Sequence, residues 1–353
     1  MLATGALVEN RYTLQGLLHT SRETRVFAAA DRGNGAPVVV KFFSKGHYLA
    51  DLYYTREVQF YKACVGIAGI PVLLATGDSE GQKYLITDFV GRSLSDILAT
   101  GRTISGPSLM LLARKLLVIL QATHGRDFLH LSVAPDNILI DFTTSQVSLV
   151  DFKSSQSLTT PQEDCEEAQG KAKQLLFTSS DQLHGQTPSF RSDLESLSYV
   201  LMYLQMGSLP WKTALRTESH ATYLHSRRRF AHSEFLRDVS EGIRELWAAA
   251  TALQPGEKPN YEKLKAMFLT PNNVIRLEER GRKEDTGPEL TRGSSLRAID
   301  TAFRLPERRQ SEIHDIPPPS PLRDEARKRT AKKEGPQFSP SLRTLISHIR
   351  DDY

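Results

Sequence analysis

Short apolar runs broken by polar turns fill the first ninety residues. Residues 12–15, 25–29 and 37–43 are β-rich and are separated by Gly, Asn and Asp, a pattern that predicts strands. Residues 53–64 change period, with Val58 and Tyr61 at helical spacing. Two more strands are predicted on either side of the turn Ser79-Glu80-Gly81. From residue 106 the pattern turns helical. Residues 109–124 and 193–206 are apolar runs of good helix formers and predict buried helices. The chain thus divides into a small β-rich lobe with one main helix, residues 9–90, and a larger helical lobe, residues 91–270. The predicted fold class is α+β. Residues 271–353 lose the dense apolar pattern. Residues 281–353 hold 15 Lys/Arg against 12 Asp/Glu, which predicts a solvated, disordered tail.

Composition narrows the function classes. Of 353 residues, 39% are hydrophobic and 24% charged, as in a soluble globular protein. A net charge of +4 makes no case for a specific nucleic-acid partner. Cys64 and Cys165 are the two cysteines, too few for a disulfide framework. The start Met1-Leu2-Ala3-Thr4-Gly5 has neither a basic end nor a long apolar run, so no signal peptide is expected. No segment reads as the ~20 apolar residues of a membrane span. A cytoplasmic or nuclear protein is expected.

Ordered motifs then carry the chemistry. Val38-Val39-Val40-Lys41 puts a lysine on a predicted strand, fifteen residues after Val26 and sixteen before Glu57 on the candidate helix. His130-Leu131-Ser132-Val133-Ala134-Pro135-Asp136-Asn137 follows, and after one strand Asp151-Phe152-Lys153. Order and spacing are those of the protein-kinase signature set. Leu85-Ile86-Thr87-Asp88-Phe89-Val90-Gly91 is similar to an interlobe hinge. Together with Arg191-Ser192-Asp193-Leu194-Glu195, Leu209-Pro210-Trp211 and Lys258-Pro259-Asn260-Tyr261, it resembles the casein kinase 1 and vaccinia-related kinase family over residues 9–270.

The resemblance implies a two-lobed kinase fold with ATP and magnesium as cofactors, and it assigns roles. Lys41 would hold phosphates and Glu57 would orient it; the same two residues would also serve as an ordinary interlobe ion pair. Val26, Thr87, Asp88 and Val90 would line the nucleotide. Asn137 and Asp151 would hold magnesium. The catalytic machinery departs from the family. The three phosphate-loop glycine positions are His19, Ser21 and Thr24, whose side chains would stiffen the loop. Ser132 stands where the base aspartate belongs and Ala134 where a charge-stabilising lysine belongs. Lys153 replaces a glycine, with two orientations open, toward metal and phosphates or into solvent. Before the substrate-docking loop, Lys173-Gln174 replaces a Gly-Thr pair, and an acidic run covers residues 163–167.

The expectation is a catalytically impaired kinase, or pseudokinase, that binds proteins such as an active kinase or a signalling complex. The alternative is a weak or atypical nucleotide-dependent transferase. In the tail, residues 327–333 form a basic cluster and residues 317–321 a polyproline run. Leu342, Leu345, Ile346 and Ile349 predict a short amphipathic docking helix over 341–350.

Overall fold

The computed structural model describes residues 4–79, 81–159, 175–217 and 220–279. The acidic run 163–167, the Lys173-Gln174 pair, the tail clusters and the docking helix lie outside these residues.

The β-rich lobe is a six-stranded antiparallel sheet of β1 (Leu7–Val8), β2 (Tyr12–Thr20), β3 (Thr24–Asp31), β4 (Pro37–Phe43), β5 (Leu73–Ser79) and β6 (Gln82–Asp88). Its strand order is β1-β2-β3-β4-β6-β5. Side chains alternate across a strand, and β4 shows the consequence. Val38, Val40 and Phe42 enter a core on one face with Tyr12, Leu14, Phe27 and Ile86. Lys41 and Phe43 therefore project to the other face, against α1 (Tyr48–Ala63). Helix α1 starts five residues before the predicted position, because Ala50 is fully buried and extends the packed stripe by a turn.

Below the sheet lie α2 (Leu94–Ala99), α3 (Gly106–His124), α4 (Ser180–Leu183) and α5 (Phe190–Met206). Pro107 in the first turn of α3 costs nothing, since that turn has no amide bonds to lose. Helix α3 is long and apolar enough to cross a membrane by length and composition, which corrects the expectation that no segment qualifies. Here it is a core helix whose Leu112, Leu116, Leu117 and Leu120 are buried. Helix α5 begins with a reciprocal capping box between Ser189 and Ser192. It is buried along most of its length, with α3 and the helix Glu241–Ala252 packed on it.

Gly69 fixes the join between the lobes. At φ +90° a Cβ there would lie 2.5 Å from Ile119 Cδ1, so only glycine lets the α1–β5 connection rest on α3.

The folded region outruns both expected boundaries. Its sheet begins at Leu7, and the strand Glu278–Glu279 pairs with Arg102–Thr103. Ile275 is buried, and the amides of Ile275 and Arg276 donate to Ser145 Oγ and Ser108 Oγ. Apolar burial at one residue and two captured amides hold a segment whose composition alone reads as tail.

Candidate active site

Strand register builds the first part of the site. Lys41 is directly opposite Val26 on β3 and Leu85 on β6, so the three share one face. Helix α1 buries Ala50, Glu57, Phe60 and Tyr61 on a single face, which carries Glu57 to Lys41. The Lys41 ammonium donates to Glu57 Oε1 and, at 2.7 Å, to Asp151 Oδ1. The interlobe ion pair expected from the sequence is formed.

Asp151 has φ +68°, and the short 3₁₀ turn Phe152–Ser154 follows it. Phe152 is fully buried, stacked on Phe60 at 3.8 Å and edge-on to Tyr61 and His130. This anchor leaves Asp151 facing Lys41. The Lys153 ammonium then folds back and donates to Asp151 Oδ2 at 2.6 Å. Of the two orientations open to Lys153, the solvent one is corrected: opposite charges at contact hold it on Asp151.

Four charges thus cancel, two ammonium groups against two carboxylates, with Lys41 and Glu57 buried and Asp151 and Lys153 partly exposed. Burial disfavours the Asp151 carboxylate, but Lys153 and Lys41 outweigh it and hold the group far below the usual carboxylate range. Burial opposes the Lys41 charge as well, and Asp151 and Glu57 more than restore it. Glu57 is the most enclosed member, and burial pushes its carboxyl up even with Lys41 in contact.

The catalytic loop is held from beneath by α5. Asp193 accepts the Leu131 amide on Oδ1 and the His130 amide on Oδ2, both at 2.7 Å. His124 Nε2 lies 2.9 Å from the same Oδ2, and Tyr261 Oη 2.5 Å from His124 Nδ1. Both contacts are satisfied when Tyr261 donates to Nδ1 and Nε2–H donates to Asp193. Leu131 takes φ +59° in this loop. Burial pushes the His130 imidazole below its ordinary value, as suits a structural histidine.

Ser132 and Asn137 meet in the loop. The Asn137 amide nitrogen donates to Ser132 O at 2.8 Å and to Ser132 Oγ at 2.9 Å. The hydroxyl at the base position is therefore already an acceptor for Asn137. Ala134 is buried and offers only a methyl group.

The phosphate-loop positions form the β2–β3 hairpin tip. His19 is exposed opposite Val26, Ser21 is half-buried and Thr24 is buried. Ser21 Oγ accepts from the amides of Glu23 and Thr24, at 3.2 and 3.0 Å, and donates to the Glu23 carboxylate. Ser44 ties the tip to the end of β4: its amide donates to Glu23 O and its hydroxyl to Arg22 O, both at 2.8 Å. Loop amides of the kind that hold phosphate in a nest are thus engaged by a side chain of their own loop.

At the hinge, Thr87 is buried at the end of β6 and the Asp88 carboxylate is engaged by the Val72 amide at 2.7 Å. Val90 follows, and among the described residues its amide and carbonyl enter no backbone hydrogen bond. Gly91 has φ +126°, and a Cβ there would lie 2.5 Å from Ile140 O, so the hinge runs tight against the helical lobe.

The residues that would hold the two implied cofactors can be compared with them: for a nucleotide, Val90 has a backbone donor and acceptor outside the backbone hydrogen bonds, and Lys41 and Lys153 set two ammonium groups on Asp151. For magnesium the set is encumbered at one ligand: each Asp151 oxygen already accepts from a lysine, while Asn137 donates through its amide nitrogen to Ser132 and does not use its Oδ1 in that contact.

The structure brings Lys41, Glu57 and Asp151 into contact and pairs Asn137 with Ser132. Sequence reasoning did not find the Ser21 cap or the Asp193–His124–Tyr261 relay. Ser21 two residues before Glu23 is a capping signal, whereas nothing local links His124 to Tyr261.

Comparison with known proteins agrees with this geometry. The sequence profile of the family described as "Protein kinase domain" matches residues 20–268. Casein kinase I homolog 3 of Schizosaccharomyces pombe is 28% identical over 255 residues, covering 69% of this chain and 58% of the relative. Casein kinase I homolog 2 of the same organism gives the same identity and coverage. The chain thus spans little more than half the length of these curated relatives. A matched profile over most of the chain, a Lys41–Glu57 pair and an Asp151-Phe152 anchor lead to one assignment: the chain, similar to casein kinase I homologues, belongs to the protein kinase domain family.

Proposed function

We propose that this kinase domain is catalytically impaired and works as a binding or regulatory module in signalling, with proteins such as an active kinase as partners. One observation carries the reading: the side chain at the base position is Ser132, a neutral hydroxyl already accepting from Asn137. Loss of a general base costs ~10²–10⁴ in rate. Ala134 supports the reading by removing a cation that would stabilise the transferring group. Ser21 supports it by engaging the loop amides.

A second reading, a slow or atypical nucleotide-dependent transferase, is favoured by the Lys41–Glu57–Asp151 cluster, which has the form of a working cleft. Label transfer separates the two. With γ- and α-labelled ATP, magnesium and an acidic protein substrate such as casein, the full chain should incorporate no more label than its Lys41→Ala, Asp151→Ala variant. Incorporation that the variant abolishes would establish the transferase reading instead.

A further inference from the structure

We propose that this domain binds a nucleoside triphosphate without a divalent cation, the Lys153 ammonium standing on Asp151 in place of the metal. The proposal rests on reading the cleft as a nucleotide site and is independent of whether phosphoryl transfer is lost.

The Asp151 carboxylate is already occupied. Lys41 and Lys153 take one oxygen of Asp151 each, at 2.7 and 2.6 Å. Magnesium requires near-octahedral oxygen ligands at about 2.0–2.1 Å. To reach Oδ2 it must crowd against or displace an ammonium group that bears charge of its own sign. Lys153 is also positioned rather than free to leave. Its backbone lies in the turn that Phe152 pins by stacking on Phe60, and its side chain is 23% exposed.

What remains is a site for anionic oxygens. A lysine ammonium has three donors. Lys153 directs one to Asp151 and retains the others for phosphate. Lys41 directs its charge to Glu57 and Asp151 on the same floor. The Ser21 cap withdraws the amides of Glu23 and Thr24, so the lysines carry the phosphate recognition. With Lys41, Lys153, Glu57 and Asp151 summing to zero, a triphosphate meets no net negative charge from this cluster. Removing Lys153 leaves the cluster at −1, and a divalent cation is then needed.

Isothermal titration calorimetry on the full chain tests this with ATP in EDTA and in excess magnesium. Binding in EDTA should match or exceed that in magnesium. Lys153→Met, which keeps the stem and removes the charge, should weaken binding in EDTA on the order of tenfold to a hundredfold, the effect of one charge-assisted contact. Lys153→Gly should make binding depend on magnesium. Circular dichroism confirms that each variant is folded. Wild-type binding that requires magnesium would overturn the proposal. So would unchanged affinity of Lys153→Met in EDTA, or no ATP binding in any condition. Failure to bind ATP leaves the impaired-catalysis reading standing. Label transfer in magnesium would instead remove that reading and leave this proposal to the EDTA titration.

Discussion

Replacing Lys41 by methionine strands one charge, and the cost follows from where its partners sit. The substitution keeps the side-chain stem and removes the ammonium, which lies 5.5 Å from the centroid of the Phe43 ring. Asp151 retains Lys153 on Oδ2, so it stays compensated. Glu57 is 1% exposed and loses its contact cation. Removing one partner of a buried pair costs ~3–5 kcal/mol, and with one stranded carboxylate the lower end applies, about 3 kcal/mol. At roughly 2–4 °C per kcal/mol for a domain of this size, the melting temperature should fall by about 6–12 °C. Lys41→Met, Glu57→Met removes both charges and should recover most of the loss, since a buried pair exchanged for apolar groups is often near neutral. The pH dependence has a definite sign. Burial already pushes the Glu57 carboxyl up, and loss of Lys41 pushes it further. The folded variant then holds a proton that the unfolded chain releases above its ordinary value of about 4.3. Stability of Lys41→Met should therefore rise as pH falls from 7 toward 5. Chemical and thermal denaturation at both pH values read all of this. A single variant within about 1 kcal/mol of wild type, or a double variant no more stable than the single one, would refute the reasoning.

Two further outcomes follow from local geometry. Burial pushes the Cys64 thiol up to about 11 against the opposing pull of Arg126, so at pH 8 iodoacetamide should leave Cys64 unmodified until the domain unfolds; peptide mass spectrometry showing rapid native labelling would contradict this. Ser21→Gly should release the amides of Glu23 and Thr24 and speed their hydrogen exchange about tenfold, as expected for losing bonds of ~1 kcal/mol each. Unchanged exchange would mean that the cap does not hold the tip.

The fold was largely legible because its sheet and helices follow simple periods. Pro37–Phe43 reads as a strand from its β-branched run, and α3 from its apolar length. Alternation on β4 even tells which face Lys41 takes. Boundaries were less legible: Ile275 is one apolar residue in a polar stretch, and its burial depends on Ser145, 130 positions away. The candidate site was legible as an inventory of parts, since Lys41, Glu57, Asn137 and Asp151 stand at family spacing. How the parts pair was not. Whether Lys153 points to solvent or to Asp151 is settled by the turn that Phe152 anchors on Phe60, a contact across 92 positions that no local pattern encodes. The Asp193–His124–Tyr261 relay is invisible for the same reason.

Asp151 is held by Lys41 and Lys153, and the proposal is that Lys153 keeps its place there when a nucleotide and a divalent cation are supplied. Crystals of the full chain soaked with ATP and manganese, measured at the manganese absorption edge, test it directly. The account predicts no anomalous peak between Asp151 and Asn137, with Lys153 Nζ still within hydrogen-bond distance of Asp151 Oδ2. An ordered manganese ion on Asp151 with Lys153 displaced would contradict it.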